Sequence, residues 1–408
     1  MKNVHDSGGR SFTLTAILIL ASLLTACGSD GDTSDPGAWQ TLTPTIESPL
    51  PEVAQAGKTE MPPAMGDMIP PDQPVQRLTT DQLLTFQPNE LGVIPVLQYH
   101  VFVTDPKLVD DYTVTIETFN EHLQWLYDHD FHVIPVADFI RNVIDAPPGK
   151  HPVVLTFDDA SVGQFRFITG KDGTLVPDPD SAVGAMEAFF TKHPDFGRGG
   201  FFAVLPFNCF AEPTEPDQMP YCDQKLAWLA EHGYEVGNHT MGHQDLLDVS
   251  DERFMSEIGG AVTWVSECTP DEGNLGQVVV MPYGNYPDAD MHQEQRRMMR
   301  EGFEYEGAEV RIEAAFMVGA NPAESPSSNL WDPIWIPRIQ SSEAVIDHWF
   351  TAFEEGQVIL YVSDGNTETV TVPDPLPPLL EGELDPDLIS QSGKELIQYG
   401  PDAQANAD

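Results

Sequence analysis

The stretch PVVLTFDD, residues 152–159, decides how this chain is read. An apolar run of strand length, rich in β-branched residues, stops at two adjacent carboxylates, Asp158 and Asp159. Eighty residues after Asp159, the stretch GNHTMGHQDL (237–246) carries two imidazoles four positions apart, His239 and His243. One carboxylate and two imidazoles make a three-ligand set with an open coordination position, the pattern of a catalytic zinc-type site. The second carboxylate is then free to act as a base on an attacking water.

Outward from this stretch, strand-like runs alternate with helical ones. The strand-like runs are VIPVLQYH (93–100), PVVLTFDD, GFFAVLPF (200–207), YEVGNHT (234–240), QVVVMPYG (277–284), AAFMVGA (314–320) and QVILYVSD (357–364). Helical spacing marks 117–130, 181–193, 224–233 and 343–356, the last two ending in Gly233 and Gly356 as stops. Such alternation predicts an α/β fold with a mostly parallel sheet covered by helices, and seven strands fit a (β/α) barrel better than an open sheet. Tyr99, His100, Asp158, Asp159, His239, Tyr283 and Asp364 all fall at C-terminal strand ends, where barrels of this kind build their sites.

The chain has 65 acidic and 19 basic residues, a net charge of -46. This excludes a nucleic-acid partner, which needs a basic face. A surface adapted to high salt and an ordinary acidic envelope protein both fit the charge. Lys2 and Arg10 precede an apolar stretch, 12–24, too short to favour a membrane span, and Leu24-Thr25-Ala26-Cys27 follows it. That ending resembles the bacterial lipoprotein signal, cut before a cysteine that is then lipidated. The expected organisation is a signal peptide at 1–26, a flexible Pro- and acid-rich tether at 27–85, a barrel domain at 86–370 and an acidic irregular tail at 371–408. The expected location is extracytoplasmic, with Cys27 as the lipid anchor. Of the remaining cysteines, Cys209 and Cys222 flank one loop and are the expected disulfide, leaving Cys268 over.

TFDD, HTMGH and a Pro282-Tyr283-Gly284 strand end, with IPVLQYH and EHGYEVGNHT around them, resemble the polysaccharide deacetylase family (the NodB-homology domain) over residues 90–365. The resemblance implies a distorted (β/α) barrel that removes acetyl groups from a glycan, N-acetyl more often than O-acetyl, with a divalent metal. The metal is zinc by expectation, with cobalt and nickel as alternatives. It also implies Asp159, His239 and His243 as ligands, Asp158 as general base, and a backbone N–H near Tyr283 for the oxyanion. The partner would be an acetylated polysaccharide of the envelope or exterior.

Two departures from the family pattern matter. Its third motif has an arginine that orients the base, where this chain has Val280. Arg338, in IWIPRIQ, is the candidate replacement. The family's last strand often carries a histidine, where this chain has Val362. His100 is the candidate proton donor, the alternative being that Asp158 returns its own proton to the leaving nitrogen. The insertion at 161–197 reads either as a hairpin with a supporting helix or as a groove wall built on Phe165 and Phe167. Tyr283, Trp331 and Trp335 are candidate sugar platforms. A glycan-binding lipoprotein without activity, and a hydrolase of another C–N bond, remain as alternatives.

Overall fold

The computed structural model describes residues 77–400 except 213–214, 288 and 320. The signal peptide, Cys27 and the tether up to residue 76 lie outside the described residues. Seven parallel strands form the central sheet: β1 (Val96–Tyr99), β2 (His151–Phe157), β3 (Phe201–Val204), β4 (Glu235–Asn238), β5 (Asn274–Val280), β6 (Ala314–Phe316) and β7 (Ile339–Gln340). Their order is β6-β5-β4-β3-β2-β1-β7, and the short strand Phe131–Val133 pairs with the start of β2. The two ends of this path meet. Ile339 and Gln340 pair with Leu97 and Gln98 of β1, while Ile336 bridges Phe316 of β6. The Met317 N–H donates to the Ile336 carbonyl at 2.9 Å. Residues 336–340 thereby curl the sheet into a distorted barrel.

Among the described residues, six helices are nine residues or longer: α1 (Ile116–Asp128), α2 (Ala182–Lys192), α3 (Cys222–Glu231), α4 (Asp251–Cys268), α5 (Gln293–Glu301) and α6 (Glu343–Glu354). Thr115, Ser181 and Ser250 cap the starts of α1, α2 and α4 by accepting from the third backbone N–H beyond. Gly233 and Gly356 take positive φ just past α3 and α6, the stops expected there.

Strand alternation sorts the core. Leu97, Tyr99, Leu155, Phe157, Phe202 and Val204 pack outward with Phe119, Leu123, Leu229 and Phe350 of the helices. Val96, Val154, Phe201, Val280 and Phe316 pack together on the other face, inside the barrel. Period two then puts Gln98, Thr156 and Asp158 on that inner face at its C-terminal end.

Three expectations need correcting. QVILYVSD is no barrel strand. The place beside β1 is taken by Ile339–Gln340, and the Val93 N–H donates instead to the Ile359 carbonyl below the sheet. A short apolar run does not reveal which neighbour will take its hydrogen bonds. Asp364 therefore leaves the rim: its carboxylate is buried and accepts from the Thr369 and Thr371 hydroxyls at 2.6 and 2.5 Å. The stretch from Pro373 is not irregular. Thr369–Pro373 pairs in parallel with Glu395–Tyr399, the helix Pro386–Ser392 lies between them, and Val370, Val372 and Ile389 form an apolar cluster with Leu91. Prolines and acids dominate the composition there and hide this widely spaced apolar set.

Glu90 ties that segment to the barrel by accepting the Thr371 and Asp364 N–H groups at 2.9 and 3.2 Å. Burial, aided by the Asp364 charge, pushes its carboxyl up to about 8. The folded chain keeps this proton while the unfolded chain releases it near 4.5. Its contribution to stability is full below that value and is lost as pH rises through about 8. Glu90→Gln, which mimics the protonated acid, is expected to flatten the fall in stability between about pH 5 and about pH 8, measured by denaturant unfolding. An unchanged pH slope would contradict this account.

Candidate metal and catalytic site

The two adjacent carboxylates part company at the end of β2. The Asp158 N–H continues the ladder by donating to the Tyr99 carbonyl at 2.9 Å, so its side chain stays on the inner face. Asp159 and Ala160 then adopt φ of 74° and 51°. This left-handed turn swings Asp159 away from its neighbour. Asn208 holds the turn by donating its amide to the Asp159 carbonyl at 2.9 Å.

The histidine pair lies on the loop after β4 and not on a helix. Asn238 Oδ1 accepts from the Thr240 N–H at 2.8 Å, and Thr240 Oγ1 accepts from the His243 N–H at 3.0 Å. Buried Glu257 of α4 accepts from the Gly242 N–H at 2.7 Å. These bonds wrap the loop so that both rings face Asp159. Tyr283, at φ 59° after β5, sets its ring edge-on to His243 with centroids 4.8 Å apart. Seven of the eleven described non-glycine residues with positive φ belong to this region: Asp159, Ala160, Cys209, Phe210, Thr240, His243 and Tyr283. Such backbone persists only where its surroundings over-determine it. Here the Cys209–Cys222 disulfide and the Lys225 Nζ donating to the Phe210 carbonyl at 2.7 Å supply part of that constraint.

His239 Nδ1 lies 2.9 Å from the Val280 carbonyl, which can only accept, so Nδ1 carries the proton. Nε2 then faces Asp159 Oδ1 at 3.1 Å, and His243 Nε2 lies 3.5 Å from the same oxygen. One ligand atom from each residue falls within 4.8 Å of the others. Three side-chain donor atoms converge, a set that fits a cation. Two nitrogens and one carboxylate oxygen suit a zinc-type ion, and the Val280 carbonyl supplies the orienting outer hydrogen bond such histidines use.

Asp158 is fully buried and gripped by Arg338. The guanidinium donates from Nη1 to Oδ1 at 2.7 Å and from Nη2 to Oδ2 at 2.8 Å. Arg338 also donates to the Met317 carbonyl and to Thr156 Oγ1. Burial works to raise the Asp158 pKa, but the Arg338 charge and its hydrogen bonds win, holding it well below the usual carboxylate range. His100 Nε2 sits 3.6 Å from Asp158 Oδ2, and burial lowers the His100 pKa.

All seven expected site residues thus meet at one end of the barrel. Gln98, Thr156 and Asn208 support them through hydrogen bonds to Asp158, Arg338 and Asp159. Gln98 had a visible signal, a polar residue at an inward position of an apolar strand. Thr156 had the same signal, whereas Asn208, on a distant loop, had none. Phe165 and Phe167 are buried, and the insertion is an antiparallel hairpin (Phe167–Thr169 with Leu175–Pro177) backed by α2. Tyr283 is 61% exposed beside His243; Trp335 is half-exposed and packs on Tyr286, and Trp331 packs on Phe139.

The family model for polysaccharide deacetylase matches residues 209–301. The match includes His239, His243 and Tyr283 but stops short of the carboxylate pair. No curated protein matches this chain. Among solved structures, IcaB from Ammonifex degensii is similar at 16% identity and TM-score 0.45, covering 64% of this chain and 96% of its own. The Streptococcus pyogenes deacetylase PplD in complex with acetate gives 14% and 0.43, covering 61% and 92%. The de-N-acetylase from Aggregatibacter actinomycetemcomitans gives 13% and 0.43, covering 63% and 99%. Likeness this distant carries no argument of its own.

Breaking the buried ion pair strands a charge. Arg338→Met is expected to cost about 3–5 kcal/mol in unfolding free energy near neutral pH. A change below about 1 kcal/mol in urea unfolding would show that the pair is not buried in solution.

Proposed function

We propose that this protein is a metal-dependent hydrolase that removes acetyl groups, N-acetyl by preference, from a polysaccharide of the cell envelope or exterior. The observation that carries the reading is the convergence of Asp159, His239 and His243 beside the separately held Asp158. The polysaccharide deacetylase match over 209–301 supports the substrate class. Preference for an amide over an ester rests on the family resemblance alone.

A divalent cation, zinc in the first instance, would be held by Asp159, His239 and His243, where it acidifies water and polarises the acetyl carbonyl. The protein's own groups do the rest. Asp158 takes a proton from the attacking water as the water oxygen adds to the carbonyl carbon. Arg338 keeps Asp158 ionised and fixed for that task. His100 Nε2 receives the proton from Asp158 and passes it to the leaving nitrogen as the C–N bond breaks, giving acetate and free amine. Exposed Tyr283 stacks on a sugar ring, and a backbone N–H near it faces the developing oxyanion.

We also propose that residues 1–26 are a lipoprotein signal and that Cys27 carries the anchor, on the apolar run ending at that cysteine. Cys27→Ser is expected to move the protein from the membrane to the soluble fraction, and unchanged membrane retention would contradict the anchor.

Asp158→Asn decides the catalytic reading. It should retain zinc, by elemental analysis, and lose at least roughly 100-fold in acetate release from a chito-oligosaccharide. Near-normal turnover removes Asp158 as base. If the wild-type protein binds the oligosaccharide but releases no acetate from it or from an acetyl ester, the chain is a glycan-binding scaffold instead.

A further inference from the structure

One buried amide links the base to the histidine. Gln98 of β1 is fully buried, and its Nε2 lies 3.1 Å from Asp158 Oδ2 and 3.3 Å from His100 Nε2. The amide orientation follows from the ion pair next to it. Asp158, paired with Arg338 through both oxygens, is an acceptor only. Turning Gln98 over would set its carbonyl oxygen 3.1 Å from that carboxylate, acceptor against acceptor. The NH₂ group must therefore face Asp158.

This settles what His100 presents. The second N–H of the same amide meets His100 Nε2, which can accept it only as a bare lone pair. A proton on Nε2 would place two donors against each other. The ring proton of neutral His100 then sits on Nδ1, a buried atom without a hydrogen-bond partner in the structure. Gln98 Oε1 is likewise buried and unpartnered. The amide thus forgoes its acceptor bonds while its donors serve Asp158 and His100.

We propose that Gln98 is a positioning residue that locks resting His100 in the Nδ1–H tautomer, so that the unprotonated Nε2, held by the Gln98 N–H, lies on the Asp158 side of the ring. The inference rests on the deacetylase reading for its consequence, though not for its geometry. In the proton relay, the Gln98 N–H leaves the Nε2 lone pair, and the Asp158 O–H bond breaks as the His100 Nε2–H bond forms. The Nε2–H bond then breaks as the leaving nitrogen gains its proton, which restores the resting tautomer. A ring that began with Nε2–H could not receive the proton from Asp158. The tautomer therefore sets which ring nitrogen can take the proton from Asp158.

The test is nitrogen-15 NMR of histidine-labelled, zinc-loaded protein, with His100 assigned by comparison with His100→Ala. In the wild type, Nε2 should show the shift of an unprotonated nitrogen and Nδ1 that of a protonated one. In Gln98→Met, close in shape but without donors, Nε2–H should become populated. The same variant should lose roughly tenfold in kcat for acetate release, with KM and zinc content unchanged. A protonated Nε2 in the neutral wild-type ring overturns the proposal, whether or not the variant folds. So does a variant with unchanged tautomer and kcat. Wild-type protein with the expected tautomer but no acetate release would overturn the deacetylase reading and leave the tautomer assignment standing.

Discussion

The ion pair between Asp158 and Arg338 joins the fold to the chemistry. Both residues are essentially excluded from solvent, and both carboxylate oxygens are taken by the guanidinium. Arg338 immediately precedes β7, the two-residue strand that helps to join the ends of the sheet path. The same side chain donates to the Met317 carbonyl just past β6 and to Thr156 on β2. A cation inside the barrel is costly unless its donors are met. Here they are met by groups from separate strands, so the guanidinium cross-braces the C-terminal end of the barrel while holding the base.

A second constraint divides labour between neighbours in sequence. Strand alternation alone would send Asp159 to the outer face, opposite Asp158. The left-handed turn at Asp159 and Ala160 brings it to the histidines, and equally unusual backbone at Thr240 and His243 brings the histidines to it. Strain of this kind at a site is a form of pre-organisation. One carboxylate is thus committed to an arginine and the other left facing two imidazole nitrogens.

Much of this was legible in the sequence because period-two and helical spacing are local signals. Six of the seven sheet strands and the ends of α3 and α6 follow from them. The seventh strand did not, since Ile339–Gln340 is too short to show a period, and the better-looking run QVILYVSD drew the assignment. That error also misplaced Asp364. Arg338 is legible on chemical grounds, since the base needs a cation where the motif arginine is replaced by Val280, and that need does not depend on the strand assignment. Gln98 was passed over because a single glutamine in VLQY looks like an interruption of the strand and not a part of the site. The C-terminal segment was misjudged because its order comes from long-range pairing, Glu90 to Thr371 and Val370 to Leu91, that composition does not report.

The most direct test of the account is an anomalous difference map from crystals soaked in zinc. The account predicts one strong peak about 2.0–2.3 Å from Asp159, His239 Nε2 and His243 Nε2 together, with Asp158 still on Arg338. A peak bound by other residues, or Asp158 drawn into the coordination sphere in place of Asp159, would contradict it.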